Sequence, residues 1–367
     1  MASLQRNARW SAGLLVLLAF TILVSASIGS VSIHPLSVTK SMLNAIALPT
    51  GFQITNSGSY VAAEVLPFAP SIEVEWISPF EYEVRDAHQT IVVMHRLPRI
   101  VLAAIVGFSL AAAGTVMQGF FRNPLADPAI IGVSSGAATG AVLAITAPAL
   151  LPIDLRAAAF VGGIAAAFLV YAIATERGRT PVATLLLAGI AIQTFLGALI
   201  SYMVLHSGDS LQQVVYWLMG HLHVSSWNDV AFALPVSIIF FAILLAYTRD
   251  LNVLLLGEED AHSLGVSVER TKQILLAVSS AVTAAAVAVS GVIGFVGLVV
   301  PHMLRLVVGP DHRILLPTAA IGGAIFLVVA DTIARTGPAE VPVGIVTAAV
   351  GAPFFLSLLK QRRVHEL

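Results

Sequence analysis

Long stretches of this sequence contain no aspartate, glutamate, lysine or arginine. Because an α-helix rises about 1.5 Å per residue, roughly 20 apolar residues cross the roughly 30 Å hydrocarbon core of a membrane. Of the 367 residues, 57% are hydrophobic and only 11% are charged, whereas soluble domains carry about 25% charged residues. The chain is therefore predicted to be a membrane protein. Nine uncharged windows stand out, at residues 10–39, 100–121, 128–153, 157–175, 180–208, 230–248, 273–304, 314–330 and 341–359.

One of these windows is too long for a single crossing. At about 1.5 Å per residue, residues 273–304 would form a straight helix of roughly 48 Å. The second half of this window contains Gly291, Gly294 and Gly297. We interpret it as two helices joined by a glycine-rich turn. The predicted fold class is thus all-α, a polytopic membrane protein with ten transmembrane helices in a single domain over residues 1–367.

The distribution of positive charge predicts the orientation, because cytoplasmic loops carry an excess of lysine and arginine. With the N-terminus inside, 13 of the 19 basic residues fall inside and the other six outside. We therefore expect both termini in the cytoplasm. The first window also resembles a signal peptide, with Arg6 and Arg9 before the apolar run and small residues at 25–27 after it. We favour an uncleaved first helix, since its removal would leave an odd number of crossings.

Two connections are long enough to carry function. Residues 40–96, predicted outside, mix proline, glycine and acidic residues with aromatic ones and indicate a partly ordered external cap. Residues 249–272, predicted inside, place apolar residues among acidic ones and contain Gly257 and Gly265 as breaks. This pattern is typical of short amphipathic helices that lie on the membrane or on another protein.

The composition excludes several classes of function. Only three lysines occur and none completes a Gly-Lys-Ser/Thr phosphate loop, so the chain carries no ATPase site of this type. The absence of cysteine excludes disulfides and thiolate catalysis, and the net charge of −1 gives no reason to expect nucleic acid. The ten histidines form no HExxH pair. His221 and His223, in a segment expected at the outer interface, are interpreted as hydrogen-bonding residues rather than metal ligands.

Ionisable residues inside the apolar windows would mark a proton or ion pathway. The sequence nearly lacks them. Asp331 and Arg335 lie four residues apart near the outer end of the ninth helix, which is the spacing of a surface pair. Gln118 and Gln193 are the main neutral polar residues well inside the windows. A transporter driven by protons or sodium is therefore disfavoured, and the energy is expected to come from another polypeptide.

The segment at 132–136 matches the GxSxG pattern of serine hydrolases, with Ser134 as the nucleophile. That elbow needs a preceding strand and a histidine and an acid that activate the serine, whereas here the pattern opens a membrane helix. The four-residue spacing of Gly132, Gly136 and Gly140 favours instead one face on which another helix packs closely. An intramembrane hydrolase using Ser134 is the weaker hypothesis.

Two further clusters have two possible interpretations each. Arg96 and Arg99 flank Pro98 at the start of the second helix, where proline suits the first turn, and Arg335 is expected at the same level. These arginines either extend to lipid head groups or pair with carboxylates of a docking partner. On the inner side, residues 121–128 contain Asn-Pro and Asp-Pro, which favour turns. This turn is either a tight connection or a constriction at the inner mouth of a pathway.

An ordered series of motifs covers nearly the whole chain: RLPR at 96–99, GTVMQGFFRNPLADPAIIGVSSGAATGA at 114–141, LLLAGI at 185–190, YWLMG at 216–220, LGEEDAHSLG at 256–265, GVIGFVGLVVPHMLRLVVGPDHR at 291–313 and ADTIARTGPAEVPVGIVTAAVGAPFF at 330–355. The series resembles the permease subunits of type II ABC importers, the family that takes up iron–siderophores, haem and cobalamin and is often called FecCD.

The resemblance implies a homodimer of ten-helix subunits in the lipid of the bacterial inner membrane, with the conduit between the two copies. Two ATP-binding cassette ATPase subunits would lie beneath it, and a periplasmic binding protein above it. ATP and Mg would be used by the ATPase subunits, and this chain would bind no cofactor and would not be an enzyme. Arg96, Arg99 and Arg335 resemble the family positions that pair with acidic residues of the binding protein.

The resemblance also implies roles on the cytoplasmic side. One stretch is similar to the coupling helices that contact the ATPase, with the positions Gly257, Glu258, Ala261, Leu264 and Gly265. Two positions in the 121–128 turn resemble an inner gate, and the other gate position, held by hydroxyl residues in some relatives, is apolar here. The gate residues are thus Asn123, Leu125, Val182 and Ala183.

The motifs FFRNPLADP, GVSSGAA, PAEVPVGIVTA and GAPFF are most similar to those of haem (hemin) permeases. Siderophore permeases more often have NAGA where this chain has SSGA. The expected function is therefore that of the permease subunit that moves haem, delivered by a periplasmic binding protein, across the inner membrane. A ferric siderophore or cobalamin is the alternative cargo for the same machinery.

Overall fold

The computed structural model describes residues 2–29, 31–46, 48–55, 71–149, 151–337 and 339–365. Helices dominate this part of the chain. They are α1 (Ala2–Ser27), α2 (Pro35–Asn44), α3 (Asp86–Thr90), α4 (Leu97–Phe120), α5 (Val133–Thr146), α6 (Leu155–Ala174), α7 (Val182–Leu205), α8 (Leu211–Leu218), α9 (Trp227–Ala246), α10 (Thr248–Leu254), α11 (Glu258–Ser263), α12 (Val268–Ser290), α13 (Val296–Val308), α14 (His312–Ala334) and α15 (Val343–His365). The two strands are β1 (Leu48–Thr55) and β2 (Ser71–Ile77).

Seven helical segments of the described chain are long and apolar enough to cross a membrane. They are Arg9–Ser27, Asp86–Phe120, Leu155–Ala174, Val182–Leu205, Trp227–Ala246, Val268–Ser290 and His312–Ala334. Three further apolar segments are shorter, namely Val133–Thr146, Val296–Val308 and Val343–Ser357. At about 1.5 Å per residue, a helix of 13 residues such as α13 covers only about 20 Å. The structure thus shows seven full-length apolar segments, and the count of ten crossings stays a prediction.

The predicted break inside the window 273–304 is present. Helix α12 ends at Ser290, and α13 begins at Val296 after a short irregular turn. Gly291 has φ 68° and Phe295 has φ 69°, both in the left-handed region. The glycine takes this conformation without steric cost, because it has no Cβ atom. The chain therefore reverses here, as the glycine-rich turn predicted.

The core of the bundle is built from α4, α12, α13 and α14, whose backbones cross closely. A Cβ atom added at Gly107 of α4 would lie 2.2 Å from the backbone oxygen of Gly323 on α14. About two turns further along α4, a Cβ atom at Gly114 would lie 2.0 Å from the backbone oxygen of Gly297 on α13. Ordinary contacts of a Cβ atom are about 3.4 Å or longer, so these crossings require glycine. α4 is consequently buried along nearly all of its length.

Helices α5 and α6 form a second close crossing. A Cβ atom at Gly136 would lie 2.3 Å from the backbone oxygen of Gly162, and one at Gly140 would lie 2.2 Å from that of Ala158. Gly132 does not share this face, contrary to the predicted spacing. It lies just before α5 with φ 81°, and a Cβ atom there would make only ordinary contacts. The reason is that the helix begins at Val133, so the helical spacing does not extend to Gly132.

The mostly helical fold agrees with the predicted class, and the external segment adds one small β-hairpin that was not predicted. β1 and β2 form an antiparallel hairpin in which Leu48 is opposite Ile77 and Thr55 is opposite Ser71. The sequence of β2, SIEVEWI, alternates apolar and acidic residues with the period of a strand. Residues 56–70 of the predicted external cap lie outside the described residues.

Candidate functional site

At the end of the bundle predicted to face outside, Asp331 forms a buried ion pair with Arg99. Arg99 Nε donates to both carboxylate oxygens of Asp331 at 3.0 Å, and Arg99 Nη2 donates to Oδ1 at 2.8 Å. Asp331 is fully buried, and Arg335 Nε lies 3.6 Å from its Oδ2 atom. Arg99 also pairs with Glu340 on its exposed side. The predicted pairing of Asp331 with Arg335 is therefore present, but the pair is buried rather than on the surface, and Arg99 is the main partner of the carboxylate.

The other two arginines of this outer cluster bind backbone carbonyls at the end of α1. Arg96 Nη1 donates to Ala26 O at 2.6 Å, and its Nη2 donates to Val31 O. Arg335 Nη2 donates to Ser25 O at 2.6 Å. The last carbonyls of a helix have no intrahelical donor, so the bonds to Ser25 and Ala26 supply missing hydrogen bonds, while the bond to Val31 holds the segment that follows α1. The three predicted docking arginines thus lie at one end of the bundle, and all three have partners within the chain.

A cleft of about 960 Å³ opens beside this outer cluster. Its walls are polar and aromatic and include Arg99, Arg156, Tyr216, Trp217, His221 and Glu340. The ring centroids of His221 and His223 are 4.8 Å apart. Burial, and then electrostatic repulsion from His223 and Arg99, lowers the pKa of His221 to about 4. His221 is therefore neutral at pH 7, where its ring offers one hydrogen-bond donor and one acceptor.

The turn between α4 and α5 is closed by its own side chains. The amide of Leu125 donates to Asn123 Oδ1 at 3.0 Å, and the amide of Ala129 donates to Asp127 Oδ1 at 2.8 Å. These are the local side-chain hydrogen bonds by which asparagine and aspartate stabilise turns. Asn123 is exposed and Leu125 is half-buried. The predicted gate residues of this turn therefore lie in a compact connection on the inner end of the bundle.

A second cleft, of about 780 Å³, lies at this inner end between two predicted sites. It is lined by Val182 and Ala183 of the predicted gate and by Gly257 and Glu258 of the predicted coupling segment. Asn123 and Leu125 do not line it, although their neighbour Arg122 does, as do Phe121, Thr180, Glu269 and Lys272. The structure thus brings the start of α7 next to the coupling segment and separates it from the remaining gate residues.

The predicted coupling segment is a short helix with one fixed side and one open side. Gly257 precedes α11 with φ 137°, and Gly265 follows it with φ 84°, so glycine suits both breaks. Ala261 is fully buried, and its carbonyl accepts the amide of Val266 at 3.0 Å. Leu264, in contrast, is 62% exposed. Single exposed leucines are common on protein surfaces, so the contact of this segment with an ATPase stays a prediction.

Lys272 is a functional candidate that the sequence did not single out. It is 5% exposed, and its Nζ atom lies 2.7 Å from Glu258 Oε1 and 3.3 Å from Glu269 Oε1. In the sequence it counted only as one more cytoplasmic positive charge. The available signal was its position directly before the uncharged window 273–304, three residues after a glutamate, since that spacing pairs opposite charges on a helix.

The GxSxG segment does not form a hydrolase elbow. A 3-10 helix at Pro128–Ile131 precedes it, and α5 begins at Val133, so Ser134 lies in the first turn of a helix with no strand before it. The elbow requires a strand followed by a sharp turn into a helix. The local backbone around Ser134 therefore differs from that of the hydrolases. In the described residues, no group of three or more histidine and acidic side chains could hold a metal ion.

The model of the FecCD transport family matches residues 17–361 of this chain. The chain belongs to the FecCD transport family. This FecCD member is 55% identical over 364 residues to the cobalamin import system permease protein of Halobacterium salinarum, covering 99% of this chain and 98% of that relative. It is 47% identical over 276 residues to the hemin transport system permease protein of Yersinia pestis, covering 73% and 82%.

A solved structure of a metal-chelate type ABC transporter in an inward-facing conformation shares 30% identity with the FecCD member described here. The superposition covers 96% of this chain and 99% of the chain in that structure, with a TM-score of 0.78. The family resemblance inferred from the motifs is thus confirmed. The chain is a mostly helical, multi-pass membrane permease of this family.

Proposed function

We propose that this chain is the permease subunit of an ABC importer whose cargo is cobalamin. The observation that supports cobalamin as the cargo is the 55% identity to a cobalamin permease, which extends over 99% of the chain. The identity to the hemin permease extends over 73%. A match over nearly the full length includes the external segment as well as the membrane helices. This proposal replaces haem, favoured by the short motifs, as the first candidate.

The proposed assembly is a homodimer with two ATPase subunits and an external binding protein. Three apolar windows are sparsely buried, those of α1 (11%), α7 (17%) and α9 (22%). We place the second copy on α7, because the start of this helix lines the inner cleft. Large apolar side chains project from α7, among them Leu187, Ile190, Phe195, Tyr202 and Leu205. A second copy that packs against α7 would enclose a conduit between the two subunits.

Transport in this proposal is mechanical rather than catalytic. The binding protein delivers cargo to the outer cleft beside Arg99, and ATP hydrolysis in the partner subunits moves α11. The inner cleft between α11 and the start of α7 then changes shape, and the conduit opens to one side at a time. Such alternating access requires that ATP and the binding protein stabilise different states of the permease. Ten crossings would place both termini on one side of the membrane, and the positive charge of the connections predicts that this side is the cytoplasm.

Haem is the second candidate cargo. The hemin permease match, and the short motifs around residues 119–141, favour it. A third relative, at 40% identity over 286 residues, is the Fe(3+) dicitrate transport system permease protein of Escherichia coli. The outer cleft holds neutral and charged polar groups of both signs, so its chemistry suits any of these large polar chelates.

Reconstitution tests the proposal directly. The chain is assembled in lipid vesicles with its ATPase subunits, binding protein is added outside, and uptake of cyanocobalamin, hemin and ferric citrate is compared. We expect ATP-dependent uptake of cyanocobalamin to exceed that of the other two at least tenfold. Vesicles that hold this chain alone serve as the control and should accumulate none. Preferred uptake of hemin would shift the cargo to haem, and uphill uptake by the chain alone would contradict the importer mechanism.

A further inference from the structure

We propose that Lys272 is the positioning residue that links the movement of α11 to the start of α7. The inference rests on the proposed function, since it assigns the internal connection between the ATPase-facing helix and the conduit. Lys272 lies in the second turn of α12 and is 5% exposed. A buried ammonium group is retained only where carboxylates and carbonyls compensate for its lost hydration.

The contacts of Lys272 join three elements. Its Nζ atom lies 2.7 Å from Glu258 Oε1 at the first position of α11 and 3.3 Å from Glu269 Oε1 in the first turn of α12. It also donates to the carbonyl of Thr180 at 3.3 Å, two residues before α7 begins. One cation thus holds the coupling helix, the neighbouring membrane helix and the lead-in to α7 together.

A second contact makes the link to α7 firm. Glu269 Oε2 accepts the amide of Thr180 at 3.2 Å, so both backbone polar groups of Thr180 bind the Lys272–Glu269 pair. Thr180 itself is 3% exposed, and Pro181 between it and α7 has a fixed φ angle. A displacement of the Thr180 backbone therefore also displaces Val182, because Pro181 between them allows little rotation.

The exposed end of this link is Glu258. Its side chain is 45% exposed, whereas that of Lys272 is 6% exposed. Glu258, Lys272 and Val182 line one cleft of about 780 Å³, which leaves space for the three elements to move relative to one another. When α11 moves, Glu258 moves with it. The Lys272 ammonium group stays bound to the Glu258 carboxylate, its closest partner, and the Thr180 carbonyl stays bound to the ammonium group.

The test compares Lys272→Gln with Arg270→Gln in the assembled transporter. Arg270 lies two residues before Lys272 on α12 and is exposed, so its replacement controls for the loss of one positive charge. A fluorophore on Arg179→Cys, an exposed position in the inner cleft directly before Thr180, reports the environment of the lead-in to α7, and the chain has no native cysteine to compete for it. ATP hydrolysis, cyanocobalamin uptake and the emission change on ATP addition are measured for each variant.

We expect Lys272→Gln to hydrolyse ATP but to lose the emission change, with uptake per ATP reduced about tenfold, in the range of coupling effects at such positions. Arg270→Gln should behave as the unaltered protein, and Lys272→Arg should restore both signals. If Lys272→Gln does not assemble, Glu258→Gln removes the exposed end of the link and should reduce the emission change. A normal emission change in Lys272→Gln or in Glu258→Gln would overturn the proposal. Absence of cyanocobalamin uptake by the unaltered complex would instead contradict the proposed function, and the emission change would still decide the role of Lys272.

Discussion

Replacement of Asp331 by asparagine should destabilise the protein by about 3–5 kcal/mol, the cost of breaking a buried ion pair. Asp331 is fully buried and accepts three hydrogen bonds from Arg99. Asparagine has the same shape, but its NH₂ group would face the Arg99 donors, so one or two of these bonds are lost. Charge-assisted hydrogen bonds contribute about 1.5–3 kcal/mol each. Arg335, 9% exposed, would lose its carboxylate partner as well.

The matched control is Glu340→Gln, which removes the other carboxylate of Arg99. The Glu340 side chain is 47% exposed, and exposed ion pairs contribute only about 0–1 kcal/mol. The free energy of unfolding is measured for both variants by denaturant titration in detergent micelles, followed by helical circular dichroism. Equal losses for the two variants, or a loss below about 1 kcal/mol for Asp331→Asn, would refute the conclusion that the buried carboxylate organises the outer cluster.

Three further predictions concern packing, docking and pH. Gly136→Ala places a Cβ atom 2.3 Å from a backbone oxygen of α6 and should lower the free energy of unfolding by about 1–3 kcal/mol. Gly13→Ala, with no atom within 4 Å of the added Cβ, should leave this free energy unchanged. Equal effects of the two substitutions would contradict the close crossing of α5 and α6. Arg96→Glu combined with Arg335→Glu should weaken the docking of the binding protein and the ATPase stimulation that docking causes. Thermal unfolding is recorded in parallel, because both arginines make internal contacts. Unchanged ATPase stimulation would refute the docking role. The pKa of His221 is about 4 instead of its ordinary 6.5, so its contribution to stability is complete above pH 6.5 and is lost as the pH falls towards 4. The drop in melting temperature between pH 7 and pH 5 should therefore be smaller in His221→Gln than in the unaltered protein. An equal drop would show that another group titrates.

The helical bundle could be predicted from the sequence because lipid imposes a simple rule. Charged residues cannot lie in the hydrocarbon core without cost, so uncharged windows predict membrane helices. The windows 157–175 and 180–208 correspond to α6 (Leu155–Ala174) and α7 (Val182–Leu205) within a few residues. The break at Gly291 followed from length, since one helix of that size exceeds the membrane. The hairpin could not be predicted in this way, because the alternation in SIEVEWI lies in a polar segment and uncharged windows indicate only membrane helices.

The pairing of buried charges could not be predicted in the same way. Arg99 and Asp331 are 232 residues apart in the chain, so no local spacing joins them. Arg335, four residues from Asp331, has the spacing of a helix pair, and that spacing predicted the weaker contact but not the main one. Lys272 likewise binds Thr180, 92 residues away. Which charges meet is decided by how the helices cross, and the sequence alone does not give those crossings.

The glycine contact between α4 and α14 divides the molecule into parts that stay together and parts that shift. Backbones in contact at Gly107 and Gly323 cannot slide past each other, because the side chains of Ala111 and Leu327, one turn further along each helix, would collide with the facing backbone. Probes attached to these two helices should keep a constant separation through a transport cycle. Any change of shape must then occur at the periphery, where α7 has few buried side chains.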